Sequence, residues 1–319
     1  MRIGVLGAGA FGTALAIALG RAGREVVLWA RDPECAAELA RGRRNLRYLP
    51  DARLPESVSV TAEIGKAAAP VLLLAVPMTA LPGLLSHLPE PGDHALVACA
   101  KGIDLTSGLG PSGLIARAHP GAVAAVLSGP SFAADIARGM PTALTLACRD
   151  DARGANLQRL LSTPDLRVYR STDVAGVELG GALKNVIAIA SGVVVGAGFG
   201  DSARAALVTR GFAEMTRLAI ALGARAETLS GLSGLGDLIL TATSPQSRNF
   251  RYGLAIGSGT APDAGLTVEG VATARAALEV ARTHGVALPV TGAVAGLIDG
   301  RLALGEAVAA LMARPLTTE

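Results

Sequence analysis

At 319 residues the chain is long enough for two ordinary domains, and with half its residues hydrophobic it carries a large core, which excludes a disordered protein. Aromatic residues make up only 3%, so that core is packed from Ala, Val, Leu and Ile. The formal charge is +3, its basic residues are scattered singly, and no basic patch or stacking platform points to nucleic acid.

In chain order, Ile3–Leu6 reads as a short buried strand, Thr13–Arg21 as a helix and Glu25–Trp29 as the next strand. Continuous apolar runs at Val71–Val76, Ala95–Ala98, Val123–Leu127 and Thr142–Ala147 supply further strands. Strands apolar on both faces and separated by helical segments predict a doubly wound parallel sheet of Rossmann type. Beyond about residue 175 the pattern becomes helical, with segments at Val177–Val195, Arg204–Leu222, Leu238–Thr243, Val268–His284 and Ala293–Ile298. The expected architecture is therefore α/β: a dinucleotide-binding domain over 1–175 and an all-helical substrate and catalytic domain over 176–319. The uncharged opening imitates a signal peptide, but Gly7, Gly9 and Gly12 stand where an export helix carries leucine. The uncharged stretch 186–200 falls short of the roughly 20 residues that span a bilayer. Cys35, Cys99 and Cys148 form neither a disulfide framework nor a zinc spacing. A cytoplasmic chain without membrane insertion is expected.

Gly7-Ala8-Gly9-Ala10-Phe11-Gly12 is G-x-G-x-x-G between the first strand and the first helix. The first glycine permits a tight turn, the second lets a diphosphate approach the backbone, and the third lets helix and strand pack closely. The second strand ends Trp29-Ala30-Arg31-Asp32-Pro33. Asp32 has the distance of a ribose ligand, but before Pro33 it reads as a helix N-cap. Arg31 then meets a ribose 2′-phosphate, which favours NADP(H) while leaving NAD(H) open; the other reading of Arg31 is a solvated surface side chain.

In the second half, Lys184 and Asn185 lie inside an otherwise apolar helical segment. A lysine there either exchanges a proton or snorkels from the edge of a core helix. Asp237 and Thr241 share one helix face at i, i+4, although Asp237 alone is also an ordinary N-terminal helix charge. Ser247-Arg248-Asn249 gathers a hydroxyl, a guanidinium and an amide, which suits a phosphate ester or a polar turn.

Together with Ala100-Lys101-Gly102, Ser128–Ala133, Gly181–Gly192, Gly234–Thr241, Gln246–Asn249 and Val268-Glu269-Gly270, these segments resemble the bacterial-type NAD(P)-dependent glycerol-3-phosphate dehydrogenases, in family order over nearly the whole chain. The resemblance implies reduction of dihydroxyacetone phosphate to sn-glycerol 3-phosphate, which feeds phospholipid synthesis. It implies that Lys184 is the general acid/base, with Lys101, Asp237 and Thr241 completing the catalytic set. It places substrate at Lys101, Gly129, Ser131, Lys184, Asn185, Asp237, Ser247, Arg248 and Asn249. It places the cofactor at Gly7, Gly9, Ala10, Phe11, Gly12, Arg31, Lys101, Ala133, Arg248, Thr267 and Glu269. Ala10 departs from the family, where serine is frequent; the backbone N–H toward the diphosphate is retained.

Hydride addition to a ketone leaves negative charge on oxygen, so one group must stabilise it and one must protonate it. Two lysines at the carbonyl would depress each other's pKa, and Asp237 would pull in the opposite direction. No metal is needed: His87, His94, His119 and His284 lack ligand spacing. The alternatives are another two-domain NADPH-dependent reductase of ketopantoate or 2-hydroxyacid type, and a non-catalytic nucleotide-sensing module. The expected partner is a phosphorylated triose, with a homodimer held open.

Overall fold

A computed structural model describes residues 1–89, 92–263, 265 and 267–312. The chain divides into two compact units, one of residues 1–101 and 109–177, the other of residues 102–108 and 178–319.

The first unit runs β1 (Arg2–Leu6), α1 (Ala10–Arg21), β2 (Glu25–Trp29), α2 (Pro33–Gly42), β3 (Arg44–Asn45), β4 (Leu49–Arg53), β5 (Val58–Thr61), β6 (Val71–Leu74) and α3 (Leu81–Ser86). It continues with β7 (Ala95–Ala98), α4 (Pro111–Ala118), β8 (Val123–Ser128), α5 (Ala133–Arg138), β9 (Thr142–Cys148), α6 (Asp151–Leu161) and β10 (Leu166–Ser171). Eight strands form one sheet in the order β10-β9-β8-β7-β6-β1-β2-β5, and β3 and β4 form a separate antiparallel pair. Alternate residues along the central strands feed two cores. Ile3, Val5, Val26, Leu28 and Leu73 pack with α1, α5 and α6. Leu6, Val27, Leu72, Leu74 and Leu96 pack with α3 and α4. Burial of both faces is the reason the strands read as continuous apolar runs rather than alternating ones.

The expected doubly wound sheet is present with one difference in direction. The β8–β9 pair is antiparallel, so β9 and its parallel neighbour β10 run against the other six strands. Strands β5 and β10 were not expected from the sequence. Only Val58 and Val60 are apolar in β5, and β10 carries Arg167 and Arg170 on an edge. Chain order reverses at β1, which lies between β6 and β2, and the Gly7–Gly12 turn leaves the carboxyl end of β1 at that switch point. Open α/β sheets bind ligands there.

The second unit is helical: α7 (Val174–Gly196, whose first turn belongs to the first unit), α8 (Asp201–Ala221), α9 (Ala226–Leu229), α10 (Asp237–Thr243), α11 (Arg248–Gly257), α12 (Glu269–Thr283), α13 (Pro289–Ile298) and α14 (Leu304–Met312). Helices α9, α11 and α14 add to the expected set, and Ser247-Arg248-Asn249 opens a helix rather than a free turn. Helix α7 is longer than the uncharged stretch 186–200 suggested. Its 23 residues are long and apolar enough to cross a membrane by length and composition, but 89% of its most apolar window is buried, as in a core helix.

What positions the second unit's polar groups is the contact of α7 with α11. A Cβ added at Gly192 would lie 2.1 Å from the Phe250 carbonyl oxygen, and one at Gly253 would lie 2.0 Å from that of Ile189. Only glycine at both positions lets the backbones touch, and this brings the start of α11 against the Lys184–Asn185 turn of α7. Ser191 Oγ also donates to the Ala242 carbonyl at 2.8 Å, which ties α10 to α7.

Candidate active site

In the first unit the Gly7–Gly12 turn is dictated by crowding. Gly7 has φ +119°, and a Cβ there would meet the Ala75 carbonyl oxygen at 2.5 Å; one at Gly12 would meet the Gly7 carbonyl at 2.0 Å. A Cβ at Gly9 would meet nothing within 4 Å, so this glycine faces open space. Helix α1 opens immediately after it with no side chain capping it, which leaves the N–H groups of its first turn, Ala10 and Phe11 among them, for an anion. The geometry therefore fits a dinucleotide diphosphate.

Asp32 is the N-cap of α2, its carboxylate accepting from the Glu34 N–H at 2.9 Å, with Pro33 opening the helix. Arg31 is exposed at the end of β2, and among the described residues no hydrogen bond or ion pair engages its guanidinium. Elsewhere in this unit, Lys101 Nζ and Ser131 Oγ both donate to the Gly129 carbonyl at 3.2 Å, so these three candidates form one group. Ala133 begins α5 and packs against the sheet core with Phe11.

In the second unit Lys184 does not snorkel. It is 7% exposed, and its ammonium donates to Asp237 Oδ1 at 2.8 Å and to Thr241 Oγ1 at 2.6 Å. Thr241 Oγ1 in turn donates to Asp237 Oδ1 at 3.2 Å, so the i, i+4 pair on α10 forms a closed triangle with the lysine. Asp237 is 1% exposed. A buried ammonium is tolerable only with such a counter-charge, and two acceptors on one helix face fix where Nζ points. Helix α10 is preceded by a π-helical turn at Leu232–Gly236, a wide turn often found at functional sites. A Cβ at Gly180 of α7 would lie 2.8 Å from the Ser233 carbonyl oxygen of that turn.

At the next residue of α7, Asn185 Oδ1 accepts from Asn249 Nδ2 at 3.0 Å, and Asn249 Oδ1 accepts from the Gly270 N–H at 3.0 Å. The backbone N–H can only donate, so it orients Asn249, and Asn249 orients Asn185. Asn185 Nδ2 is thereby left as a buried donor with no partner among the described residues, in a side chain 2% exposed. Such a donor calls for an acceptor outside the described residues, a bound water or a ligand. Gly270 must be glycine, because a Cβ would meet the Asn185 carbonyl and Asn249 Oδ1, both at 2.8 Å. That requirement is tertiary and has no local signal, although Gly270 lies in a segment the family resemblance covers.

Ser247 caps α11, its oxygen accepting from the Phe250 N–H at 3.2 Å, and the hydroxyl hydrogen is not used in that bond. Arg248 is exposed at the first position of α11, and no described hydrogen bond or ion pair engages its guanidinium. Glu269 begins α12, and the Gly270–Asn249 bond sets the start of that helix against the start of α11; Thr267 is exposed just before it. All three cysteines are free, and burial pushes the Cys99 thiol up to about 12.

Comparison with known proteins places these features in a family. Residues 2–153 match the model for the NAD-dependent glycerol-3-phosphate dehydrogenase N-terminus, and residues 173–309 match the model for the C-terminus of the same enzymes. A glycerol-3-phosphate dehydrogenase (NAD(P)+) of Cereibacter sphaeroides is 60% identical over 320 residues, covering 99% of this chain and all of that protein. The protein of the same name from Paracoccus denitrificans is 57% identical with full coverage of both. Among solved structures, the glycerol-3-phosphate dehydrogenase of Coxiella burnetii superimposes with a TM-score of 0.93 at 36% identity, covering 98% of this chain and 99% of that one. The glycine turn at the sheet's switch point, the buried lysine–aspartate pair and these similarities lead to one assignment: the chain belongs to the NAD-dependent glycerol-3-phosphate dehydrogenase family.

Proposed function

We propose that the chain reduces dihydroxyacetone phosphate to sn-glycerol 3-phosphate with NAD(P)H, reversibly and in the cytoplasm, supplying glycerophospholipid synthesis. The observation that carries the reading is the buried Lys184–Asp237–Thr241 triangle next to Asn185 Nδ2, a buried donor that no described residue accepts from. A reduced nicotinamide, when bound, supplies the hydride that adds to the C2 carbonyl carbon. As charge gathers on the carbonyl oxygen, Lys184 Nζ gives it a proton, and the neutral amine regains a proton from solvent. Asp237 and Thr241 hold Nζ at one point, so little reorganisation is needed when the proton moves. Asn185 Nδ2 donates to a substrate oxygen, which satisfies its orphaned N–H.

Arg248, with the Ser247 hydroxyl and Asn249, holds the ester phosphate, since a guanidinium gives a dianion two parallel bonds. The Lys101–Gly129–Ser131 group is assigned to substrate by the family resemblance, with Lys101 also assigned to the cofactor. The diphosphate lies at Gly7–Gly12, with Phe11 and Ala133 beside the cofactor, and Arg248, Thr267 and Glu269 are assigned to the cofactor by the family resemblance. Arg31, exposed and engaged by no described residue, reads the 2′-phosphate and favours NADP(H). A side-by-side spectrophotometric assay tests the reading: oxidation of NADPH and NADH is followed with dihydroxyacetone phosphate and with ketopantoate. Turnover of the phosphorylated triose alone is expected. Turnover of ketopantoate alone, or NADPH binding with neither ketone reduced, would overturn it.

A further inference from the structure

The antiparallel β3–β4 hairpin carries a buried amide that neither strand requires. Asn45 is 4% exposed, and its Nδ2 donates twice: to the Ala8 carbonyl at 2.9 Å and to Thr13 Oγ1 at 2.8 Å. Its Oδ1 accepts from the Tyr48 N–H at 3.3 Å. The orientation of the amide is unambiguous, because the Ala8 carbonyl can only accept and the Tyr48 N–H can only donate. Both targets of Nδ2 belong to the glycine turn and the first turn of α1. Thr13 is fully buried, and its own N–H closes the first helical bond on the Gly9 carbonyl at 3.0 Å.

The bond to Ala8 has a geometric consequence. The Ala8 carbonyl and the Gly9 N–H belong to one trans peptide, in which the two groups point in opposite directions. Drawing the carbonyl inward onto Asn45 turns the Gly9 N–H outward, on the side where a Cβ at Gly9 would meet nothing within 4 Å. We infer that Asn45 is a positioning residue for the cofactor: it holds the Ala8–Gly9 peptide so that the Gly9 N–H is presented to the dinucleotide diphosphate. A peptide not so held is free to rotate, and it must then be ordered at the expense of binding. The inference rests on the reading of Gly7–Gly12 as the diphosphate site, and it adds a residue from outside the glycine motif to that site.

The test uses the full-length protein, with affinities measured by titration calorimetry for NADPH, for 2′-phospho-ADP-ribose (which keeps the diphosphate) and for adenosine 2′-monophosphate (which lacks it). Asn45→Asp is nearly isosteric and retains an acceptor for the Tyr48 N–H but cannot donate to Ala8. Asn45→Ala removes the whole amide. Both should weaken the two diphosphate ligands by roughly tenfold, the value of about one hydrogen bond, with Asp the worse of the two because its charge lies beneath the anion. Affinity for adenosine 2′-monophosphate should stay within about twofold of wild type, and the loss should appear in KM for NADPH rather than in kcat. Thr13→Val, which leaves the Ala8 bond in place, should be milder than either.

Equal losses for all three ligands, or no loss for the diphosphate ligands, would overturn the inference; if Asn45→Ala fails to fold, Asn45→Asp decides alone. Gly9→Val separates this from failure of the underlying reading. Its side chain enters open space, so the protein should fold and lose NADPH. If Gly9→Val binds NADPH as wild type does, the diphosphate lies elsewhere and the reading of the glycine turn itself is wrong.

Discussion

Replacing Asp237 by leucine removes the counter-charge of a buried ammonium while keeping the branched shape of the side chain. Lys184 Nζ would keep only Thr241 of its two acceptors on α10, and at 7% exposure it cannot recover the difference from water. Breaking a buried pair from one side costs about 3–5 kcal/mol, since the remaining charge stays desolvated. For a unit of this size that corresponds to a fall in Tm on the order of 10 °C. The double variant Lys184→Met with Asp237→Leu removes both charges and leaves two apolar side chains in contact, so it should regain most of the lost stability without regaining turnover. Urea unfolding followed by circular dichroism, with turnover measured on the same samples, checks both statements. If Asp237→Leu alone costs less than about 1 kcal/mol, or if the double variant is no more stable than the single one, the ammonium does not depend on this carboxylate and the reasoning fails.

Three further expectations follow from the geometry. Glu214 of α8, 2% exposed, caps α13 by accepting from the Val290 and Thr291 N–H groups and the Thr291 hydroxyl; burial raises its carboxyl above the usual range of about 4.5 and these bonds only partly offset it. The folded state therefore binds the proton more tightly than the unfolded one, and this contribution to stability declines as pH rises from about 4.5 through the raised folded value. Urea midpoints of wild type and Glu214→Gln at roughly pH 5 and pH 8 should diverge in the variant's favour at the higher pH, and a constant difference would contradict the argument. Arg31→Asp should weaken NADPH far more than NADH in a direct binding assay, whereas equal losses would mean that Arg31 does not read the 2′-phosphate. Arg248→Ala should raise KM for dihydroxyacetone phosphate by roughly 10–100-fold, with unphosphorylated dihydroxyacetone much less affected; proportional damage to both ketones would move the phosphate site elsewhere.

The parts of the site legible in the sequence are those where chemistry and local backbone coincide. Gly7 and Gly12 stand out because a Cβ at either would strike backbone within the strand–turn–helix unit and its neighbouring strand, which is why their spacing alone located the turn. Lys184 stands out as a charge in an apolar helix, but its partner lies 53 residues away, and spacing could say only that Asp237 and Thr241 share a face. Asn45 was invisible: it follows Arg43 and Arg44 in a charged stretch, and nothing local separates a buried amide from a solvated one. Gly270 was covered by the family resemblance without a physical reason, since its constraint comes from the Asn185 carbonyl in another helix. In the sheet, apolar periodicity marked the central strands but carries no direction, so the antiparallel β9 could not be read from it, and β10 was hidden by its arginines.

Turnover at the ketone depends on Lys184 as the proton donor. The decisive measurement is turnover of Lys184→Met with NADPH and dihydroxyacetone phosphate, made on protein whose NADPH affinity is titrated in parallel. NADPH affinity should stay within about twofold of wild type while turnover falls by about 10²–10⁴-fold, the usual contribution of a general acid–base group. A variant that binds NADPH normally and retains a tenth or more of wild-type turnover would show that the Lys184–Asp237–Thr241 triangle serves the fold rather than the chemistry.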